Sequence, residues 1–398
     1  MLVTIIFLPN GIEKSFSSEI PPWINNIISW FNDDLISELE LRNALDYLDK
    51  RNVISLSSDE IQNKLPESLI KIEKKYEIME TKGVKHLVDL NKIKSSVPKD
   101  GIPSIDNPKF VSAEKADFIL DHELVIGVNL NGVIKAYPLF ILNWHEIVND
   151  FFSETPVAIT YCPLCFTNQV FERTINGQTT EIGVSGKLYN SNLVMYDRLT
   201  ESYWSQALGL AIKGELTGTQ LKRLPFDVLM WKDWRTLYPE TEILTTDTGH
   251  QRPYGSNPYA DYFKDPRILF PIENKDERIP LKEVILGFED NNIYKAYRLQ
   301  DVESKKVIND RVGNKDVLII STISFMGRAF DRNLEGQTLV FEFQDGKILD
   351  KQTESEWNLE GIAISGDFNG KQLKRIVYDP GFWFEWAAFH LDTELYGT

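Results

Sequence analysis

Thr200-Glu-Ser-Tyr-Trp204, Gly218-Thr-Gln-Leu-Lys-Arg223 and Trp231-Lys-Asp-Trp234 return in the same order as Thr353-Glu-Ser-Glu-Trp357, Gly370-Lys-Gln-Leu-Lys-Arg375 and Trp383-Phe-Glu-Trp386. Working outward, Lys135-Ala-Tyr137 returns as Lys295-Ala-Tyr297 and Asn149-Asp150 as Asn309-Asp310. Gly177-Gln-Thr179 returns as Gly336-Gln-Thr338, and Thr241-Glu242 as Thr393-Glu394. The order never breaks, and the spacing drifts by only a few residues. A period this long is not that of a solenoid; it predicts one domain present twice, over 124–244 and 284–398.

Each copy is rich in short β-type runs bounded by Gly, Asn or Pro. In the first copy these are Val125–Asn129, Val133–Tyr137, Val157–Tyr161, Gln169–Arg173 and Leu193–Tyr196. Helices are expected at Ile141–Asn149 and Asp227–Tyr238. The predicted class is therefore α+β and strand-rich: a tandem duplicated domain in a pseudo-twofold arrangement, plus a small N-terminal helical unit.

The N-terminal unit covers residues 1–100. Val3, Ile5 and Phe7 alternate before Asn10-Gly11, which predicts a strand and turn. After Pro21-Pro22, apolar residues Trp23, Ile24, Ile27, Ile28, Trp30 and Phe31 recur at helical spacing, and Leu39–Leu48 predicts a second helix, making a hairpin. Residues 60–95 are charged and predict one more helix. The first repeat spans 101–245 and carries the chemistry. Residues 246–283 connect it to the second, degenerate repeat at 284–398.

The chain has 398 residues and a net charge of −16. That balance argues against nucleic acid and against anionic lipid as partners. No run reaches the ~18 apolar residues of a membrane span. The apolar start lacks the basic flank and cleavage site of a signal peptide, so a cytoplasmic protein is expected. Two cysteines at Cys162 and Cys165 are too few for a disulfide framework. No phosphate-binding loop, dinucleotide fingerprint or Gly-x-Ser-x-Gly elbow is present.

Comparing the copies separates scaffold from chemistry. Trp204/Trp357 and Trp231/Trp383 occur in both and are expected as core anchors, and Asp197/Asp350 as turn braces. The second copy has Lys305-Lys306 for His145-Glu146, Thr322 for Cys162, Phe325 for Cys165 and Ile348 for Met195. Residues lost together are expected to work together. Pro156–Cys165 predicts a strand entering a Cys-Pro-Leu-Cys turn, with strand again after it at Gln169–Arg173, and such spacing turns both sulfurs to one side. Three readings stay open. One is a metal centre holding zinc or copper, with Cys162, Cys165 and His145 as ligands, Met195 as a soft fourth ligand, and Glu146 as the catalytic base. The second is thiol–disulfide redox chemistry on the two cysteines. The third is a non-catalytic binding module stapled by a structural zinc knuckle. The expected partner is a small molecule or another protein. The connection Thr248-Gly-His-Gln-Arg-Pro-Tyr254 is either a lid over this site or a linker.

Lys135-Ala-Tyr-Pro138, Trp144-His-Glu-Ile-Val-Asn-Asp150, Thr160-Tyr-Cys-Pro-Leu-Cys165 and Gly183-Val-Ser-Gly-Lys-Leu-Tyr-Asn-Ser191 resemble the prokaryotic family called domain of unknown function 3179. So do Met195-Tyr-Asp-Arg198, Glu201-Ser-Tyr-Trp-Ser-Gln206 and Thr248-Gly249 with Asn257-Pro-Tyr259. The resemblance covers about 101–398 and implies no reaction. Phe166 stands where that family has glycine after the second cysteine. Many relatives look exported, which implies export as the alternative localisation. Separately, Ile20-Pro-Pro-Trp-Ile24, Trp30-Phe31 and Tyr47-Leu48 are similar to a small motif common in proteins of ammonia-oxidising archaea.

Overall fold

The structure is a computed structural model that describes residues 77–321 and 326–397, with the backbone of two further strands. Those strands, Ile5–Leu8 and Ile12–Ser15, pair antiparallel, and the turn expected at Asn10-Gly11 lies outside the described residues. The helical hairpin expected between Trp23 and Leu48 lies outside the described residues. From residue 77 onward the described chain forms one compact unit.

Two sheets of the first half place the site. A five-stranded sheet runs in the order Asp227–Met230, Leu124–Leu130, Val133–Pro138, Glu242–Leu244, Phe110–Ser112. A three-stranded antiparallel sheet is built from Thr167–Glu172, Thr155–Cys162 and Ile147–Phe152. A third sheet, of seven strands, has Asn192–Asp197 and Ile182–Tyr189 near one edge and Met79–Thr81 with Val84–His86 at the other. Residues 79–95 hold three short strands and one 3-10 turn at Leu90–Lys92, where a single helix over 60–95 was expected. Successive side chains of a strand point to opposite faces. In Leu124–Leu130 this sends Val125 to a cluster around Trp231 and Trp234, while Ile126 and Val128 face the main core. Gly127 lies under Trp234, where a Cβ would stand 2.3 Å from the ring, so this strand needs glycine there.

The expectation of an α+β fold is corrected. Among the described residues no helix exceeds seven residues, and strands make up the architecture, so the fold is mainly β. Ile141–Asn149 is not a helix: helix covers only Leu139–Leu142, and Ile147–Phe152 is a strand. The first part of Asp227–Tyr238 is likewise strand, with helix over Trp231–Leu237.

The tandem pseudo-twofold arrangement is corrected with it. The described chain is one continuous body and not two equivalent domains. One core takes Ile126, Tyr161 and Phe171 from the first half and Leu286, Phe382 and Phe384 from the second. The seven-stranded sheet around Asn192–Asp197 stands against only three strands, Phe341–Gln344, Lys347–Asp350 and Glu356–Trp357, in the second half. A single shared apolar core ties the halves together because neither half covers its inner faces alone.

The repeated motifs do make matching local bonds. Asp197 accepts from Thr200 N at 2.6 Å and Trp204 Nε1 at 2.9 Å, and Asp350 accepts from Thr353 N at 2.7 Å and Trp357 Nε1 at 2.9 Å. Both aspartates brace turns over a buried indole, as expected. Asp227 sits at a buried junction between the halves. Arg328 Nε and Nη2 donate to it at 3.0 and 2.8 Å, and Arg375 Nη2 at 2.9 Å. Burial pushes the Asp227 carboxyl up, but Arg328 and Arg375 outweigh it and hold it below the usual carboxylate range. Among the described residues no helix is long and apolar enough to cross a membrane.

Candidate functional site

The cysteines lie where strand turns back on strand. Thr155–Cys162 pairs antiparallel with Thr167–Glu172, and Cys162 is opposite Thr167. Cys165 N donates to Cys162 O at 3.3 Å, closing a turn in which Pro163 takes the position that favours its fixed φ. Phe166 then takes φ +56°, a conformation suited to glycine. What holds Phe166 there is packing: its ring stacks on Phe382 at 5.6 Å and meets Tyr161 and Phe263 edge-on. The turn is fastened from outside as well. Tyr262 of the connecting segment donates to Leu164 O at 2.8 Å, and Phe382 N donates to Cys165 O at 2.8 Å.

Both cysteines are free thiols, 2% and 0% exposed. The Cys165 thiol donates to the Cys162 carbonyl at 3.8 Å. Asn192 Nδ2 donates to Cys165 Sγ at 3.1 Å and also to Gln206 Oε1 at 2.9 Å. Gln206 in turn donates to Thr160 Oγ1 and Thr167 O, so the donor beside the sulfur is itself held. Burial pushes the Cys165 thiol well up and contact with Cys162 adds to this, while Thr167 and Asn192 pull it back.

One participant escaped the sequence reading. Glu385, in the first turn of helix Trp383–Phe389, is buried beside the turn. The Thr167 hydroxyl donates to Cys165 O at 3.4 Å and stands close enough to both the Glu385 carboxyl and the Cys165 thiol to lower the pKa of each. Gly381 makes room: a Cβ there would lie 2.9 Å from Thr167 Oγ1, 3.3 Å from Cys165 O and 3.5 Å from Glu385 Oε2. Burial, then Cys165 and Asp379, push the Glu385 carboxyl well above the usual carboxylate range. The available signal was that Trp383-Phe-Glu-Trp386 keeps an acid between its tryptophans, as Trp231-Lys-Asp-Trp234 does. The second half therefore places a buried carboxyl beside the Cys162–Cys165 turn.

The other candidates are placed elsewhere. His145 is fully buried, with Nδ1 donating to Pro103 O at 2.8 Å and Nε2 accepting from Tyr254 OH at 2.7 Å. Thr248 Oγ1 bonds the same phenol at 2.6 Å. Burial lowers His145 to about 4 despite the bond to Pro103, so the ring is neutral at pH 7. The connection Thr248–Tyr254 thus covers His145. Met195 is buried in strand Asn192–Asp197 opposite Trp204, a core position. Glu146 has φ +58° and sits where the chain enters strand Ile147–Phe152, its carbonyl accepting from Tyr161 N at 2.8 Å. Among the described residues its carboxyl has no ion-pair partner and no hydrogen bond to the cysteines or His145. Desolvation alone pushes it up to about 8, so it is mostly protonated at neutral pH, where an ionised base was expected.

A zinc or copper centre needs three or four converging donors. Among the described residues no group of three or more His, Cys, Asp or Glu is arranged to hold a metal ion. Both nitrogens of His145 are engaged away from the thiols, and Met195 is spent on packing. The residues that do converge are Cys162, Cys165, Thr167, Asn192 and Glu385.

Fold and site together define a mainly-β protein with a buried dithiol pair. The chain matches the model of the family described as protein of unknown function (DUF3179) over residues 99–393, and it belongs to that family. No curated protein matches it. No solved structure matches it.

Proposed function

We propose that this chain is a thiol–disulfide redox protein whose centre is the Cys162/Cys165 pair. The observation that carries the reading is that two free thiols stand three residues apart on one tight turn, with Asn192 Nδ2 donating to the Cys165 sulfur at 3.1 Å. Donors at a sulfur stabilise the thiolate that attacks or leaves.

Exposures of 2% and 0% admit only a small oxidant, so the partner class is a low-molecular-weight disulfide. Cys162, the less enclosed of the two, attacks one sulfur of that disulfide. Its S–S bond breaks and one small thiol leaves. Cys165 then attacks the Cys162 sulfur of the mixed disulfide and expels the second thiol. Two electrons pass from the cysteines to the small disulfide, and the two cysteine protons end on the two departing thiols. Thr167 and Glu385 lie on the Cys165 side, where the second proton must be handled.

The test is equilibration of the full chain in glutathione redox buffers, followed by alkylation and intact-mass measurement. The expected product is one intramolecular disulfide with a midpoint between roughly −120 and −270 mV, the span of known dithiol oxidoreductases. Cys162→Ser or Cys165→Ser should abolish it. A pair that stays fully reduced in oxidised glutathione refutes the proposal.

A further inference from the structure

A cavity of about 650 Å³ is lined mostly by the second half of the chain, with Leu237 and Tyr238 from the first, and shares no residue with the dithiol site. Its size falls within the roughly 300–1,000 Å³ of sites that hold small organic molecules. Ile320, Ile348 and the Trp357 ring form its buried wall, and Phe343 and Ile364 stand at its mouth, 46% and 50% exposed. Exposed apolar residues converging on a concavity mark a place where an apolar body is covered.

Two lysines and two glutamates line the cavity, and three of the four are paired. Lys347 pairs with Glu356 at 2.7 Å. Glu360 is held by Arg328 and by Tyr238 OH at 2.6 Å. Lys306 also lines the cavity, and among the described residues it has no carboxylate partner. Lys306 is exposed, so its charge is open to a ligand from solvent.

The backbone at Lys306 adds a second, independent observation. Lys306 ends helix Leu299–Lys305 at φ +64°, where glycine is the favoured residue. Its amide bonds Val302 O at 3.0 Å, and its carbonyl accepts from Ser321 N at 2.8 Å. The main chain is therefore pinned, and a lysine is carried in a conformation that costs about 1 kcal/mol or more for a residue with a side chain.

We infer that this cavity binds an amphipathic organic monoanion, its aromatic or branched apolar body against Ile348 and Trp357 and its carboxylate on Lys306. The site is separate from the redox reading and stands or falls without it.

The test uses the full chain and the fluorescent aromatic anion 8-anilinonaphthalene-1-sulfonate, displaced by 4-phenylbutyrate or by 4-phenylbutylamine. The two competitors share one apolar body and differ in charge. The expected result is saturable binding of one probe per chain, displaced by the carboxylate at least tenfold better than by the amine. Lys306→Glu should weaken the carboxylate tenfold or more and narrow or invert that preference. Lys306→Met should give an intermediate loss, and near-UV circular dichroism should show both variants folded. Cys162→Ser should bind as the wild type does. Absence of saturable binding, equal displacement by amine and carboxylate, or an unchanged carboxylate affinity in folded Lys306→Glu would each overturn the inference.

Discussion

Glu146→Gln offers a quantitative test of how the chain around the site is built. The carboxyl is buried without an ion pair, and desolvation pushes it from 4.5 up to about 8. Between those two values the folded chain holds a proton that the unfolded chain releases. Unfolding therefore becomes easier as pH rises. Stability associated with this group is fully present below 4.5 and is lost as pH climbs to about 8. At about 1.4 kcal/mol per pH unit, the whole loss is on the order of 5 kcal/mol, comparable to the net stability of many domains. Glutamine keeps the shape and the φ +58° backbone but cannot ionise. The variant should match the wild type near pH 5 and exceed it progressively toward pH 8, with a constant gap above that. Urea unfolding of both proteins at each half pH unit measures the gap, and the many other titrating groups cancel in the difference. A gap that stays flat between pH 5 and 8 would falsify the desolvated-acid account, because it would mean the carboxyl reaches water or a cation in the folded chain.

Glu385→Gln removes the acid beside Thr167, while the dithiol remains. Oxidation by glutathione disulfide at neutral pH should slow about a hundredfold if this carboxyl handles the proton, with little movement of the midpoint potential. Stopped-flow thiol kinetics at unchanged rate would remove Glu385 from the chemistry. Arg328→Met strips Asp227 of two of its donated bonds and leaves a buried carboxylate with Arg375 alone. It should cost about 3–5 kcal/mol in urea unfolding, and a loss below 1 kcal/mol would show that Arg375 and relaxation suffice.

Local, near-neighbour features were legible in the amino-acid order. Strand runs bounded by turn residues, the strand–turn–strand around Cys162-Pro-Leu-Cys165 and the Asp197 and Asp350 turn braces depend on bonds spanning a few residues. The same locality explains why both cysteines could be assigned to one site: three residues of spacing already place them on one turn. The Gly/Pro-rich Thr248–Tyr254 stretch was open to a lid or a linker reading, and it lies over His145.

Only tertiary structure decided the rest. His145 and Glu146 looked like neighbours on a helix aimed at the cysteines, but the helix stops at Leu142 and the next residues join a strand pairing with Thr155–Cys162. That exchange of a 3.6-residue period for a two-residue one turns the histidine toward Pro103 and Tyr254. Glu385 reaches Thr167 from more than two hundred positions away, a proximity no local pattern encodes. The two halves read as equivalent domains because their motifs match, yet they form one body, since burial of apolar faces is non-directional and the shared core draws from both. Sequence periodicity therefore determined which backbone pieces this protein is made of. Which side chains meet, and with what charge, was decided by long-range burial, because desolvation and contact depend on everything that surrounds a group in space and very little on what precedes it in the chain.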